Sequence, residues 1–167
     1  MPASRPARLR VARAAWRVWV VLVVSLFVAS LPANFEELHR ACDPPDCAEN
    51  QLTRNEFRLL QAAGVAVDGY AVYMVILLSV FSAVHAAIGL FIFLRKPADP
   101  LALFVAFTLV TFGVVTYAGS LDLLARAHPV WWLPVQLISF VGSVSLLAFL
   151  YVFPSGSSMA WRWGWAA

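Results

Sequence analysis

The chain of 167 residues is 62% hydrophobic and 13% charged, with a mean hydropathy of +0.78. Soluble domains are about half apolar, so these values exclude an ordinary water-soluble fold and make lipid the solvent. The net charge of +3 does not lead to nucleic acid, because no basic patch carries interleaved aromatics and basic residues in such a chain belong at membrane edges. A membrane module together with a catalytic domain of about 100–150 residues would not fit in this length.

Four apolar stretches, Ala14–Leu31, Tyr70–Leu94, Leu101–Ser120 and Val130–Phe153, approach or exceed the roughly 20 residues a helix needs to cross a hydrocarbon core. The expected architecture is therefore all-α, a polytopic membrane bundle of about four spans. A basic segment at 1–13 precedes a membrane domain at 14–153 with an outer loop at 32–68. The tail at 154–167 is either cytoplasmic or the start of a further span.

The first stretch follows Arg5, Arg8, Arg10 and Arg13, contains Arg17, and ends in Val28-Ala29-Ser30. A cleaved signal peptide competes here with an uncleaved anchor; the length of the run and Trp16 and Trp19 at its basic edge favour the anchor. Lys/Arg asymmetry places both chain ends in the cytoplasm. The amino-terminal arginines, Arg95, Lys96 and Arg162 fall on one side. Arg40, Arg54, Arg58 and Arg126 fall on the other, diluted by Glu36, Glu37, Asp43, Asp46, Glu49, Glu56, Asp68 and Asp122. Tyr70, Tyr73, Tyr117, Trp131 and Trp132 are expected at the outer interface, and Trp16, Trp19 and Tyr151 at the inner one.

Within the outer loop, Thr53-Arg54-Asn55-Glu56 has the pattern of a capping box and Gly64 that of a stop, which predicts a short amphipathic helix over 54–63. Upstream, Cys42-Asp43-Pro44-Pro45-Asp46-Cys47 places two thiols across a Pro-Pro turn on the oxidising side, and a structural disulfide is the main expectation. Zinc held by His39, Cys42 and Cys47 would lack an ordinary fourth ligand. A catalytic thiol pair remains as a rival reading, but it would need a second pair to relay electrons and the chain has only these two cysteines.

Helices in lipid associate through small residues and interhelical hydrogen bonds. Ser79, Ser82, His85, Ala86 and Gly89 form such a stripe in the second span. Ala102, Ala106, Leu109, Gly113 and Thr116 form one in the third, and Gln136, Ser139, Gly142 and Ser143 in the fourth. His85 is the one ionisable residue deep in a span, and with Ser82, Gln136 and Ser139 it makes the candidate intramembrane polar site. Its readings are a neutral residue bonded to a neighbour, a proton or ligand sensor, or a metal or haem ligand. Haem would want a second intramembrane histidine, whereas His39 and His128 lie outside the spans. No metal, cofactor or catalytic residue is expected.

The order of these features, from Ser30-Leu31-Pro32 through Cys42 and Cys47 to Gln51-Leu52-Thr53, then Trp131-Trp132-Leu133-Pro134-Val135-Gln136 and Tyr151-Val152-Phe153-Pro154-Ser155-Gly156, resembles the multi-pass sensory region of bacterial sensor histidine kinases. Ser155 stands where that group usually carries aspartate, and Met159–Trp165 looks like the approach to another span. The resemblance implies a non-catalytic input module in the cell inner (plasma) membrane, a truncated member or a fragment. Its partners would be lipid, a cytoplasmic kinase domain or partner chain, and a second copy in a homodimer, with no nucleic acid. The alternatives from other classes are a membrane thiol oxidoreductase and a structural subunit of a membrane complex.

Overall fold

The structure is a computed structural model that describes residues 5–45, 47–48, 50–116 and 119–152, with side chains from residue 9 onward. Asp46, Glu49, Tyr117 and 153–167, which include Arg162, lie outside the described residues, as do the side chains of Arg5 and Arg8. The elements in chain order are α1 (Arg5–Leu38), α2 (Arg54–Ala62), α3 (Val67–Arg95), α4 (Pro100–Val115), α5 (Gly119–Ala127), a 3-10 turn at Pro129–Trp131, and α6 (Trp132–Val152). The protein is an all-α bundle. Three of its helices are long and apolar enough to cross a membrane, and a fourth crossing results if α4 and α5 are taken together.

Two elements differ from expectation. At 34 residues, α1 is about 51 Å long against a hydrocarbon core of about 30 Å. It runs through Pro32, where a stop was expected, because a proline in the helix interior deletes one backbone hydrogen bond rather than the whole turn. The second difference is α5. The segment expected to be the end of a span and a short connection forms instead a separate helix bent by 66° from α4. Leu121, Leu124 and Ala125, at three- and four-residue spacing, bury one side of it.

Two apolar clusters stack along the bundle. Towards the connection between α1 and α3, Val23, Leu26 and Phe27 of α1 pack with Leu78, Val114, Leu121, Leu124, Val135 and Ile138, so that α1, α3, α4, α5 and α6 all contribute. At the other end Trp16, Phe93, Leu103, Ala106 and Val110 join α1, α3 and α4. Cutting the chain after Ser30 would remove the α1 share of both clusters. The helix at the middle of the bundle is α4, which packs against α1, α3 and α6.

The contacts of α3 and α6 with α4 depend on small residues. A Cβ on Gly89 would meet the Ala106 carbonyl oxygen at 2.9 Å, and one on Gly142 would meet Val115 Cγ2 at 2.9 Å. Between lipid-bathed helices such close approach supplies the dispersion that hydrophobic burial cannot. Trp19 Nε1 also donates to the Thr111 hydroxyl at 2.9 Å, which joins α1 to α4. Trp16 is 6% exposed and stacks on Phe93 at 3.9 Å, so both tryptophans contribute to helix packing.

Candidate functional site

Of the four intramembrane polar candidates, two share one seam. The stripe on α3 places Ser82 and His85 one turn apart against Gly113 of α4. The Ser82 hydroxyl donates to the Gly113 carbonyl at 2.7 Å, an interhelical hydrogen bond made in a buried setting. His85 Nδ1 lies 2.9 Å from the Phe81 carbonyl oxygen, one turn back on its own helix. A carbonyl can only accept, so Nδ1 carries a proton and donates it. Phe81 and Phe112 flank the ring at 4.2 and 5.6 Å between centroids. Among the described residues the hydrogen-bond partner of His85 is thus on its own helix, and not a serine, glutamine or carbonyl on a neighbour.

The other two candidates fall elsewhere. Gln136 is exposed on α6, close to Trp131 and Trp132 at that helix's start, and the expectation of an interior position is corrected. Ser143 is exposed too, and its hydroxyl donates to the Ser139 carbonyl at 2.9 Å, which lets it face outward without an unpaired group. Ser139 is half-buried, with its own hydroxyl unpaired among the described residues. The face that α6 buries is Val135, Ile138, Gly142 and Ser145, one position away from the polar residues. Among the described residues Ser82 and His85 bond to Gly113 and Phe81, Gln136 is exposed, and no hydrogen bond joins the two pairs of candidates.

The connection from α1 to α3 is built tightly. Thr53 caps α2, its hydroxyl accepting from the Glu56 N–H while the Glu56 carboxylate accepts from the Thr53 N–H, so the expected capping box is present. Gly64 ends this segment at φ +75°, a backbone state that favours glycine. Cys42 and Cys47 are joined by a disulfide with their Cα atoms 5.3 Å apart. The Cys42 N–H donates to the Leu52 carbonyl at 3.0 Å, and the Cys42 carbonyl accepts from Arg54 N–H at 3.3 Å, so the ring is stitched to the start of α2. Arg54 also pairs with Asp43 at 2.7 Å.

This cap is fastened to two long helices. The Gln51 side-chain amide donates to the Glu37 carboxylate and to the Arg40 carbonyl, both at 3.0 Å, which holds the loop on the end of α1. The Tyr70 hydroxyl of α3 donates to the Asn50 carbonyl at 2.8 Å. His39 closes the circle, with Nδ1 2.7 Å from the Phe35 carbonyl oxygen and Nε2 2.9 Å from Asp68 Oδ1 on α3. Both partners are acceptors, so the full arrangement requires the imidazolium. His39 is accordingly held above its ordinary pKa, chiefly by the Phe35 carbonyl, with desolvation opposing and Asp68 adding to the rise.

Sequence reasoning missed Glu37, Gln51 and Asp68 as fastening residues, since nothing in linear spacing reports a contact between α1, the loop and α3. It also passed over Asn34, which is 4% exposed with its side-chain nitrogen unpaired among the described residues, because the span was expected to stop at Leu31. No group of three or more His, Cys, Asp or Glu with metal-binding geometry occurs among the described residues. Comparison with protein-family models, with curated proteins and with solved structures finds no match.

Proposed function

We propose that the chain is the membrane-embedded input module of a bacterial signalling protein, non-catalytic by itself, lying in the plasma membrane with both ends in the cytoplasm and working with a cytoplasmic kinase domain or partner chain. The observation that carries this reading is α1. It is one continuous helix of 34 residues, fastened at one end to the disulfide-stitched cap through Glu37, Arg40 and His39. At the other end Arg13 Nε donates to the Pro97 carbonyl at 2.7 Å in the α3–α4 connection. A change in the cap therefore has an unbroken mechanical route to the far side of the bundle, which is what an input module needs and an oxidoreductase does not. The order of sequence features that resembles sensor kinase input regions supports the same reading.

The test uses the full chain in its own host. Tagged chain, cross-linked in intact cells before solubilisation and then given labelled ATP, is expected to carry a partner that gains acid-labile phosphohistidine. Recovery of the cross-linked complex without any phosphorylated partner rejects the reading.

A further inference from the structure

At the end of the bundle opposite the cap, positive charges gather without carboxylates to match them. Arg10, Arg13 and Arg17 are spaced three and four residues apart and so share one face of α1. That face is locked against the corner where α3 ends. The Arg13 Nε donates to the Pro97 carbonyl, Trp16 stacks on Phe93, and the Arg17 guanidinium carbon lies 5.9 Å from the centre of the Phe93 ring. Arg95 and Lys96 stand in that same corner, both exposed, as are Arg10 and Arg17.

The three ion pairs found among the described residues all lie at the cap. Near the basic corner the one described carboxylate is Asp99, which is occupied in capping α4 by accepting from the Leu101 N–H at 2.9 Å. Five cations against one committed carboxylate repel one another, and at a membrane boundary the lowered dielectric makes that repulsion larger than in water. An anion from outside the chain offsets it. With Nε committed to Pro97, the remaining guanidinium donors of Arg13 are available to a phosphate. Val11, Val18, Phe91 and Leu94 are all more than half exposed beside these cations, and an anion carrying acyl chains covers them where a soluble phosphate would not.

We infer that the corner formed by Arg10, Arg13, Arg17, Arg95 and Lys96 is a binding site for the phosphate of an anionic phospholipid. The site stands independently of whether the chain signals.

The probe is phosphatidylglycerol titrated onto the purified full chain and read by native mass spectrometry, with phosphatidylcholine as the neutral comparison. Phosphatidylglycerol is expected to be retained in preference, and Arg13→Gln/Lys96→Gln should weaken its retention more than about tenfold, given that each cation near an anionic headgroup contributes about fivefold. Arg10→Gln/Lys96→Gln removes two exposed charges whose side chains make no hydrogen bond, ion pair or ring contact among the described residues, so its loss of retention is expected without a packing defect. Arg58→Gln, at the cap end, should retain the lipid as the wild type does. Equal retention of the two lipids, equal retention by the wild type and both double variants, or displacement of the lipid by equimolar inorganic phosphate overturns the inference.

Discussion

A Cβ built on Gly113 would stand 2.5 Å from the Cβ of His85, so α3 and α4 meet nearly backbone to backbone at the level of the intramembrane histidine. Gly113→Ala must push the helices apart and stretch the Ser82 bond to the Gly113 carbonyl, at a cost of about 1–3 kcal/mol. Unfolding in detergent micelles should show this loss. His85→Ala should not rescue it, since the obstructing atom is the Cβ that alanine keeps. A Gly113→Ala protein as stable as wild type would mean that this seam is looser than its geometry.

The histidine ring itself should matter less than its place suggests. Its bond to the Phe81 carbonyl duplicates the helical bond that this carbonyl already accepts, so His85→Leu leaves no backbone group unpaired. The expected change in detergent stability is within about 0.5 kcal/mol, below the average interhelical hydrogen bond in membranes. A clear loss in His85→Leu that His85→Gln restores would assign the ring a partner beyond its own helix.

The cap should respond to pH through His39. Its pKa is raised in the folded protein above the ordinary 6.5. The contribution is therefore fully present below 6.5 and fades as pH rises through the raised value, where deprotonation removes one of its two donors. Histidine NMR in nanodiscs should find His39 titrating above 6.5, and nearer to that value in Asp68→Asn. Because the Phe35 carbonyl remains, the Asn variant should not erase the shift. Identical titration in both proteins would deny Asp68 any part.

The cysteines should resist thiol labelling in intact cells until a reductant is added. Closing so short a ring stabilises the folded state by about 2 kcal/mol in the chain-entropy treatment. Cys42→Ser/Cys47→Ser should accordingly lose order in the cap, seen as faster amide exchange at Leu52 and Arg54, while membrane insertion continues. Labelling without reductant would place the pair in a reducing compartment.

Topology gives the last expectation. A reporter active only outside the cytoplasm should work when fused after Asn50 or Ala127 and be silent after Pro97 or Ser157. Activity at Pro97 would invert the orientation that the basic corner implies.

The parts of the fold that follow local rules were legible in the sequence. The Thr53 capping box, the Gly64 stop, and the Ser82, His85 and Gly89 face each depend on residues within a few turns of one another, and each is found. In α6, polarity pointed to Gln136, Ser139 and Ser143, whereas the bundle buries Val135, Ile138, Gly142 and Ser145. In lipid a serine can satisfy itself on its own helix, as Ser143 does, so a hydroxyl does not mark the interior. The helix α5 was hidden for a different reason. Gly119, Ser120, Asp122 and Arg126 mark this segment as the end of a span, and only the packing of Leu121, Leu124 and Ala125 against the bundle shows it to be a helix of its own. Glu37, Gln51 and Asp68 come together through tertiary structure alone.

Pro32 gives α1 an uneven stiffness. With no N–H at residue 32, the Val28 carbonyl loses its rung of the helical ladder, and from there to Leu38 the helix extends about 9 Å further as a short lever carrying the cap. The same face of the helix stays packed on both sides of this point, with Val23, Leu26, Phe27 and Ser30 buried before it and Asn34 and Leu38 buried after it. The missing rung is thus one soft point in a helix held along its length, and bending strain applied to the cap gathers there.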